Sequence, residues 1–432
     1  MGIILLILLL TLEAVFLFWS VKTKNLHREE KSILSISLLA LLLLLLSTGV
    51  FQWSFRYVPL FLILSVQALA GARFLMRRKV TAYGLSRSVL RFTRNSILFT
   101  AALFVLIVFP QYDQPQVTGD LAIAKTKYTW TDEHREDPFS TTGAPRSLTV
   151  EFWYPETPAG DYPLIVFSHG AFGFSGSNYS TFAELASNGY VVASIGHTGH
   201  AFYTLDTKNR LTTVDSSFIT RASEINAVTD TQNEEDIFET TREWMSIRTQ
   251  DENFVLDTIL TLAKDSSSPL PFSIIQPDRI GLMGHSLGGA TSAQTGRDRS
   301  DIDAVIVLDG TMLGEEIAFG DQGIVLNDTP YPVPLLNIYA EDHYENARTL
   351  EKDSYSNFHA SENALNAYET VFRGAGHLNF TDRPLFSPML AGKLGIGTVD
   401  ERSCIETMNE VVLSFFNSCL KEGGSPIIEK EY

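Results

Sequence analysis

The chain has 432 residues, 45% of them hydrophobic, and 33 Lys+Arg against 50 Asp+Glu give a formal net charge of −17. That length exceeds one small domain, and the two cysteines, Cys404 and Cys419, rule out a disulfide framework or a cysteine-rich metal site. The acidic balance argues against nucleic acid as a partner, because phosphate recognition needs a basic face.

Apolar residues crowd before Pro110, in the stretches 2–20, 33–51, 58–76 and 95–111, the second of which carries the leucine run Leu41 to Leu46. A helix needs about 20 mostly apolar residues to cross a bilayer. The first three stretches reach that length, with Arg73 able to snorkel to the interface. The fourth spans only if Asn95 and the Gln111–Tyr112 edge lie at the headgroups. Gly2 to Ser20 is unlike a cleaved signal peptide, since no basic residue precedes it and it contains Glu13. Residues 1–110 are therefore expected to be an all-helical transmembrane region.

Loop charge sets the expected orientation, because Lys and Arg near span ends stay cytoplasmic. Lys22, Lys24, Arg28 and Lys31 lie in the first loop, only Arg56 in the second, and Arg73, Arg77, Arg78, Lys79, Arg87, Arg91 and Arg94 in the third. Loops one and three then face the cytoplasm, and the amino terminus and everything after Pro110 lie outside. Residues 1–109 hold 12 basic and 3 acidic side chains, leaving 21 and 47 beyond, so the large domain carries about −26.

Residues 111–146 are polar and rich in Asp, Thr, Gly and Pro, which reads as a linker. From Ser147 short apolar runs alternate with helical patterns: Leu148 to Tyr154, Leu164 to Phe167, Tyr190 to Ile195, Arg279 to Met283, Ala304 to Leu308, Leu335 to Tyr339 and Thr370 to Phe372. This order suits an α/β-hydrolase fold over residues 147–425, a mostly parallel sheet with helices on both faces. Residues 201–250 break the rhythm with Thr, Asp and Glu, and are expected as a cap inserted over the site. Cys404 and Cys419 flank a helix-like stretch. Helical rise puts them roughly 22 Å apart, too far for a mutual disulfide.

Gly284-His285-Ser286-Leu287-Gly288-Gly289 directly follows the strand at Arg279 to Met283. It reads as a nucleophile elbow, in which small neighbours let Ser286 sit on a strained turn. Serine ester hydrolysis further needs a base, an acid to orient it and donors for the oxyanion. His377, in the glycine-rich loop after the last apolar strand, is the candidate base. His197, His200 and His343 are weaker candidates, more consistent with site-lining or surface positions. Two aspartates end strands and could serve as the acid, Asp309 and Asp342. The backbone amides of Leu287 and of Ala171, in Ser168-His169-Gly170-Ala171, are the candidate oxyanion donors. This chemistry needs no metal and no organic cofactor.

Four ordered motifs, Tyr162 to Gly170, Gly284 to Thr291, Leu308-Asp309-Gly310 and His377 to Asp382, resemble the plasma-type platelet-activating factor acetylhydrolase family, also called lipoprotein-associated phospholipase A2. The likeness runs from Val150 to Asp382 with gaps in the inserted region. It implies calcium-independent ester hydrolysis, with Asp309 as the acid and Asp342 in reserve. Leu287 stands where the family commonly has phenylalanine, which keeps the backbone donor and changes the acyl pocket. The expected function is a membrane-anchored serine ester hydrolase that releases short acyl groups from phospholipid or from a small ester. A broad carboxylesterase or polyester hydrolase is the alternative, and a non-catalytic hydrolase-like domain is disfavoured because both Ser286 and His377 stand in their motifs. The sequons at Asn178, Asn327 and Asn379 bear on location. A glycan two residues from His377 would crowd the site, so Asn379 is either buried or unmodified, a weak pointer to a bacterial plasma membrane.

Overall fold

The structure is a computed structural model that describes residues 1–77, 82–226, 234–321, 323–350, 355–421 and 423–432. Arg78 and Lys79 of the third loop, and residues 227–233 of the expected cap, lie outside the described residues. The chain divides into two compact units, one of Met1–Asp113 with Leu385–Lys393, the other of Gln114–Pro384 with Leu394–Tyr432.

The first unit is built on α1 (Gly2–Thr23), α2 (Arg28–Ser47), α3 (Val58–Arg77) and α4 (Leu85–Val108), all four long and apolar enough to cross a membrane. Ile4, Leu44, Val66 and Leu90 face outward, while Leu42, Leu60, Leu64 and Leu103 are buried between the helices. The fourth helix starts at Leu85 rather than at the expected Asn95. Asn95 is buried within α4, where its Nδ2 donates to Glu13 Oε1 at 2.8 Å, and Lys31 Nζ reaches Glu13 Oε2 at 2.5 Å. A carboxylate inside an apolar bundle is tolerable only when so partnered. Within this unit Ser387 Oγ donates to the Val108 carbonyl at 2.6 Å, and Phe386 packs on Phe109.

The second unit is an α/β-hydrolase fold around eight strands: β1 (Ile123–Glu136), β2 (Pro145–Pro155), β3 (Tyr162–Ser168), β4 (Val191–Gly196), β5 (Ile275–His285), β6 (Ala304–Leu308), β7 (Leu335–Ala340) and β8 (Ala367–Phe372). Their order in the sheet is β1-β2-β4-β3-β5-β6-β7-β8. The pairs β1–β2 and β2–β4 are antiparallel, and the rest are parallel. In β3 all of Leu164, Ile165, Val166 and Phe167 are inaccessible, because both faces are covered. Leu164 and Val166 meet Val255, Leu256 and Ile259 of helix α7 (Glu234–Ala263) on one side. Ile165 and Phe167 meet α5 (Tyr179–Ser187) and α10 (Glu401–Leu420) on the other, through Phe182, Leu185, Met408 and Phe415. Burying each such side chain contributes about 1.5–3 kcal/mol.

Two expectations change. Residues 123–136, expected as linker, form edge strand β1, whose Tyr128 and Trp130 cover Phe152 and Phe272. An edge strand keeps one side unpaired and polar, which hides its pattern. The expected cap, residues 201–250, holds a small hairpin (Tyr203–Leu205 with Leu211–Thr213) and helix α6 (Ser216–Asn226), but it also contains the first half of α7, a core helix. Phe238, Met245, Arg248, Glu252, Val255 and Ile259 of α7 form one buried helical stripe in which charged residues occupy core positions. Cys404 and Cys419 are free thiols on α10.

Candidate active site

The end of β5 delivers Ser286 with φ +56° and ψ −126°, a conformation that non-glycine residues rarely adopt. The turn can form because its neighbours lack side chains. A β-carbon on Gly284 would lie 2.1 Å from the Gly288 carbonyl oxygen, and one on Gly288 would lie 1.9 Å from that of Ser168. Helix α8 (Leu287–Asp298) starts directly after Ser286. Its first amide, Leu287 N–H, has no acceptor among the described residues, as expected at a helix N-terminus. The Ala171 N–H is likewise unengaged, held in a loop where Gly173 N donates to Gly170 O at 2.9 Å and Phe172 N to His200 O at 3.1 Å.

Asp309 follows β6 with φ +47° and is 1% exposed. Its Oδ2 accepts from His377 Nδ1 at 2.6 Å. Its Oδ1 accepts from the Ala340 amide at 2.7 Å and from His343 Nδ1 at 3.0 Å. Burial by itself would raise this carboxyl, but the hydrogen bonds from His343 and His377 hold it below the usual carboxylate range. His377 is 41% exposed at its side chain, and its carbonyl accepts from His285 Nε2 at 3.0 Å. Ser286 Oγ makes no hydrogen bond among the described residues; nucleophile–base contacts in enzymes without substrate are often long. Asp342, the other candidate acid, is exposed at the start of helix α9 (Glu341–Ala347), where it accepts from the His343 amide at 2.9 Å. Asp309 and His377 are therefore brought together, and Asp342 makes no bond to His377.

A buried polar network supports the Ser168–Gly170 loop. Asp251 of α7 takes both Arg146 Nε at 3.0 Å and Arg146 NH2 at 2.7 Å, together with His197 Nδ1 at 3.0 Å. His197 Nε2 lies 3.1 Å from Ser168 Oγ, which lies 3.1 Å from Glu252 Oε1. The His197 amide donates to His169 Nε2 at 3.3 Å, so His169 carries its proton on Nδ1 and donates it to Gly170 O at 2.7 Å. Burial, with the Arg248 charge nearby, pushes His197 down to about 3. Burial pushes Glu252 up to about 7. His197 and His200, weaker candidates for the base, thus belong to the scaffold: His200 stacks on Phe218 at 4.1 Å.

Sequence reasoning missed the apolar wall beside Leu287. Phe218 of α6 and Trp244 and Met245 of α7 pack in one cluster with Leu287, Ala171 and Phe172, and the Phe218 and Trp244 rings meet edge-on at 4.8 Å. The aromatic residues among the polar ones of segment 201–250 were the available signal. Asn178 and Asn379, two of the sequon residues, are fully buried: Asn178 Nδ2 donates to Phe380 O at 2.6 Å, and Asn379 Oδ1 accepts from Gly376 N at 2.9 Å.

The chain is similar to known proteins over the same region. The family described as "Platelet-activating factor acetylhydrolase, isoform II" matches residues 148–423. A platelet-activating factor acetylhydrolase from Bos taurus is 27% identical over 288 residues, covering 63% of this chain and 60% of the relative. One from Canis lupus familiaris is 26% identical over 279 residues, covering 60% and 57%. The chain thus spans about three fifths of the length of these relatives. Among solved structures, a ferulic acid esterase from Streptomyces cinnamoneus superposes with a TM-score of 0.55 at 22% identity, over 72% of this chain and 93% of the esterase, a likeness of fold. With an elbow serine at the end of β5, a buried carboxylate after β6 and a histidine after β8, all inside the matched region, the chain belongs to the platelet-activating factor acetylhydrolase family of the α/β-hydrolase superfamily.

Proposed function

We propose that this protein is a membrane-anchored serine ester hydrolase that removes short acyl groups from phospholipids. The observation that carries the reading is the strained Ser286 at the strand end, one residue beyond His285, whose ring lies 4.6 Å from that of His377. Asp309 holds the His377 Nδ1 proton, which leaves Nε2 free to accept one. Ser286 Oγ attacks the acyl carbonyl as His377 Nε2 takes its proton. The oxyanion forms at the free amides of Leu287 and Ala171, and each such donor contributes about 10²–10³ in rate. His377 then returns the proton to the departing alcohol, leaving an acyl-Ser286. Water attacks this ester by the same steps in reverse roles.

The family supports ester hydrolysis, and the relatives named for platelet-activating factor support a short acyl group on a phospholipid. The wall of Phe218, Trp244 and Met245 supports an apolar acyl site of limited depth. Four helices with outward-facing leucine, isoleucine and valine support a multi-pass anchor, since such faces are stable in lipid and costly in water. Basic side chains between α1 and α2 and between α3 and α4 support an extracytoplasmic side for the hydrolase unit.

The test is hydrolysis by full-length protein of short-chain phospholipid, simple aryl esters and polymeric esters. Ser286→Ala is expected to remove activity on every ester while keeping the thermal transition. Retained activity in that variant overturns the nucleophile assignment. A wild-type preference for aryl or polymeric esters over phospholipid overturns the substrate class.

A further inference from the structure

The Asp309 carboxylate serves two histidines. Its Oδ2 takes His377 Nδ1 at 2.6 Å and its Oδ1 takes His343 Nδ1 at 3.0 Å, so an ionised carboxylate, which can only accept, draws both imidazole protons to Nδ1. His343 Nε2 then accepts from the hydroxyl of Tyr355, 3.0 Å away. Tyr355 is itself buried and packed edge-on against Phe358 at 5.0 Å. The result is a continuous chain from Tyr355 through His343 and Asp309 to His377, in which only His377 is more than a third exposed.

We propose that His343, held by Tyr355, is a positioning residue that fixes the Asp309 carboxylate and shares its charge, and so sets the basicity of His377. The proposal rests on the reading of Asp309 and His377 as the acid and base of the site. Two effects follow from the geometry. The His343 N–H and the Ala340 amide together pin Oδ1, so the carboxylate cannot rotate away from His377. The same N–H also disperses negative charge that would otherwise stabilise the His377 imidazolium.

The groups facing His343 are Asp309 after β6, Asp342 on its own helix and Tyr355, with Glu316 and Glu369 acting on Tyr355 from further off. Burial works to lower His343, yet the Asp309 carboxylate beside it leaves it raised above its ordinary value. In acid His343 therefore gains a positive charge next to Asp309, which opposes a second one on His377.

The experiment compares full-length wild type with His343→Leu, His343→Asn and Tyr355→Phe by the pH profile of kcat/KM on a short-chain aryl ester. Asparagine places its Nδ2 donor where histidine has Nδ1. For His343→Leu a loss of about tenfold or more in kcat/KM is expected, together with an upward shift of the acid limb by about half a pH unit or more. His343→Asn is expected to restore both, and Tyr355→Phe to fall between. An unchanged His343→Leu profile overturns the proposal. So does an equal loss in the leucine and asparagine variants with an unmoved acid limb, the mark of a merely structural role. The His377 ring is also titrated by NMR of histidine-labelled full-length protein carrying Ser286→Ala. This midpoint is read without turnover, so it still decides the proposal if the assignment of Ser286 fails. A rise on adding His343→Leu supports the proposal, and no rise overturns it.

Discussion

The α-carbon of Gly288 stands against the carbonyl of Ser168, so that a β-carbon there would be 1.9 Å from the oxygen. This approach joins the start of α8, directly after Ser286, to the loop that carries Ala171. Gly288→Ala must separate the two. We expect a loss of kcat of at least about 10² as one oxyanion donor moves out of place, with a stability loss of about 1–3 kcal/mol. Wild-type turnover of esters by this variant would show that the close approach is not needed.

The two candidate acids should separate sharply. Asp309→Asn no longer draws the Nδ1 proton of His377, and kcat is expected to fall by about 10⁴. Asp342→Asn alters an exposed helix start and should stay within about twofold of wild type. Steady-state kinetics on one aryl ester checks both, and equal losses would contradict the geometry around Asp309.

Trp244 and Phe218 close the apolar wall beside Leu287. Trp244→Ala opens it, and the ratio of kcat/KM for octanoyl over acetyl esters is expected to rise by about tenfold, within the range that a few methylenes decide. An unchanged ratio would move the acyl site elsewhere.

Stability should depend on pH in a definite direction. Burial, with the His377 ring next in effect, pushes His285 down to about 3, and burial with Arg248 nearby pushes His197 to about 3. Unfolding returns both to about 6.5, so between those values the unfolded chain binds more protons. Stability is therefore lost as pH falls from 6.5 towards 3, with a limiting slope of about 1.4 kcal/mol per pH unit for each ring. Glu252, raised to about 7 by burial, acts oppositely: its contribution is full below about 4.5 and is lost as pH rises through 7. Thermal unfolding from pH 4 to 8 should show a steep acid side that flattens in His285→Gln. An acid side as steep in that variant as in wild type would contradict the buried neutral ring.

Much of this protein is legible locally. Ser286 is marked by glycines at fixed offsets, because the strained turn admits no side chain at Gly284 or Gly288. The strands β3, β6 and β7 show as continuous apolar runs, because both faces of the sheet are covered. The helices before Pro110 show by length and composition. Strand β1 did not show, since an edge strand with Lys125, Lys127, Asp132 and Glu133 carries a weak pattern. Nor did the first half of α7, whose buried stripe is interrupted by Arg248, Asp251 and Glu252. Charge at a core position looks like surface until its partner is known, and Arg146 lies 105 residues from Asp251.

The sequence by itself determined the fold class, the strained turn at Ser286 and the glycine-rich loop of His377, because each depends on residues adjacent in the chain. Residue pattern alone left Asp309 and Asp342 equivalent, since both end strands, and family resemblance was needed to prefer one. Only the tertiary structure decided that the carboxylate reaching His377 belongs to Asp309 and that His343 shares it. Hydrogen bonds between residues 34 and 68 positions apart are fixed by the packing of β6, β7 and β8 side by side, and no local pattern encodes that distance.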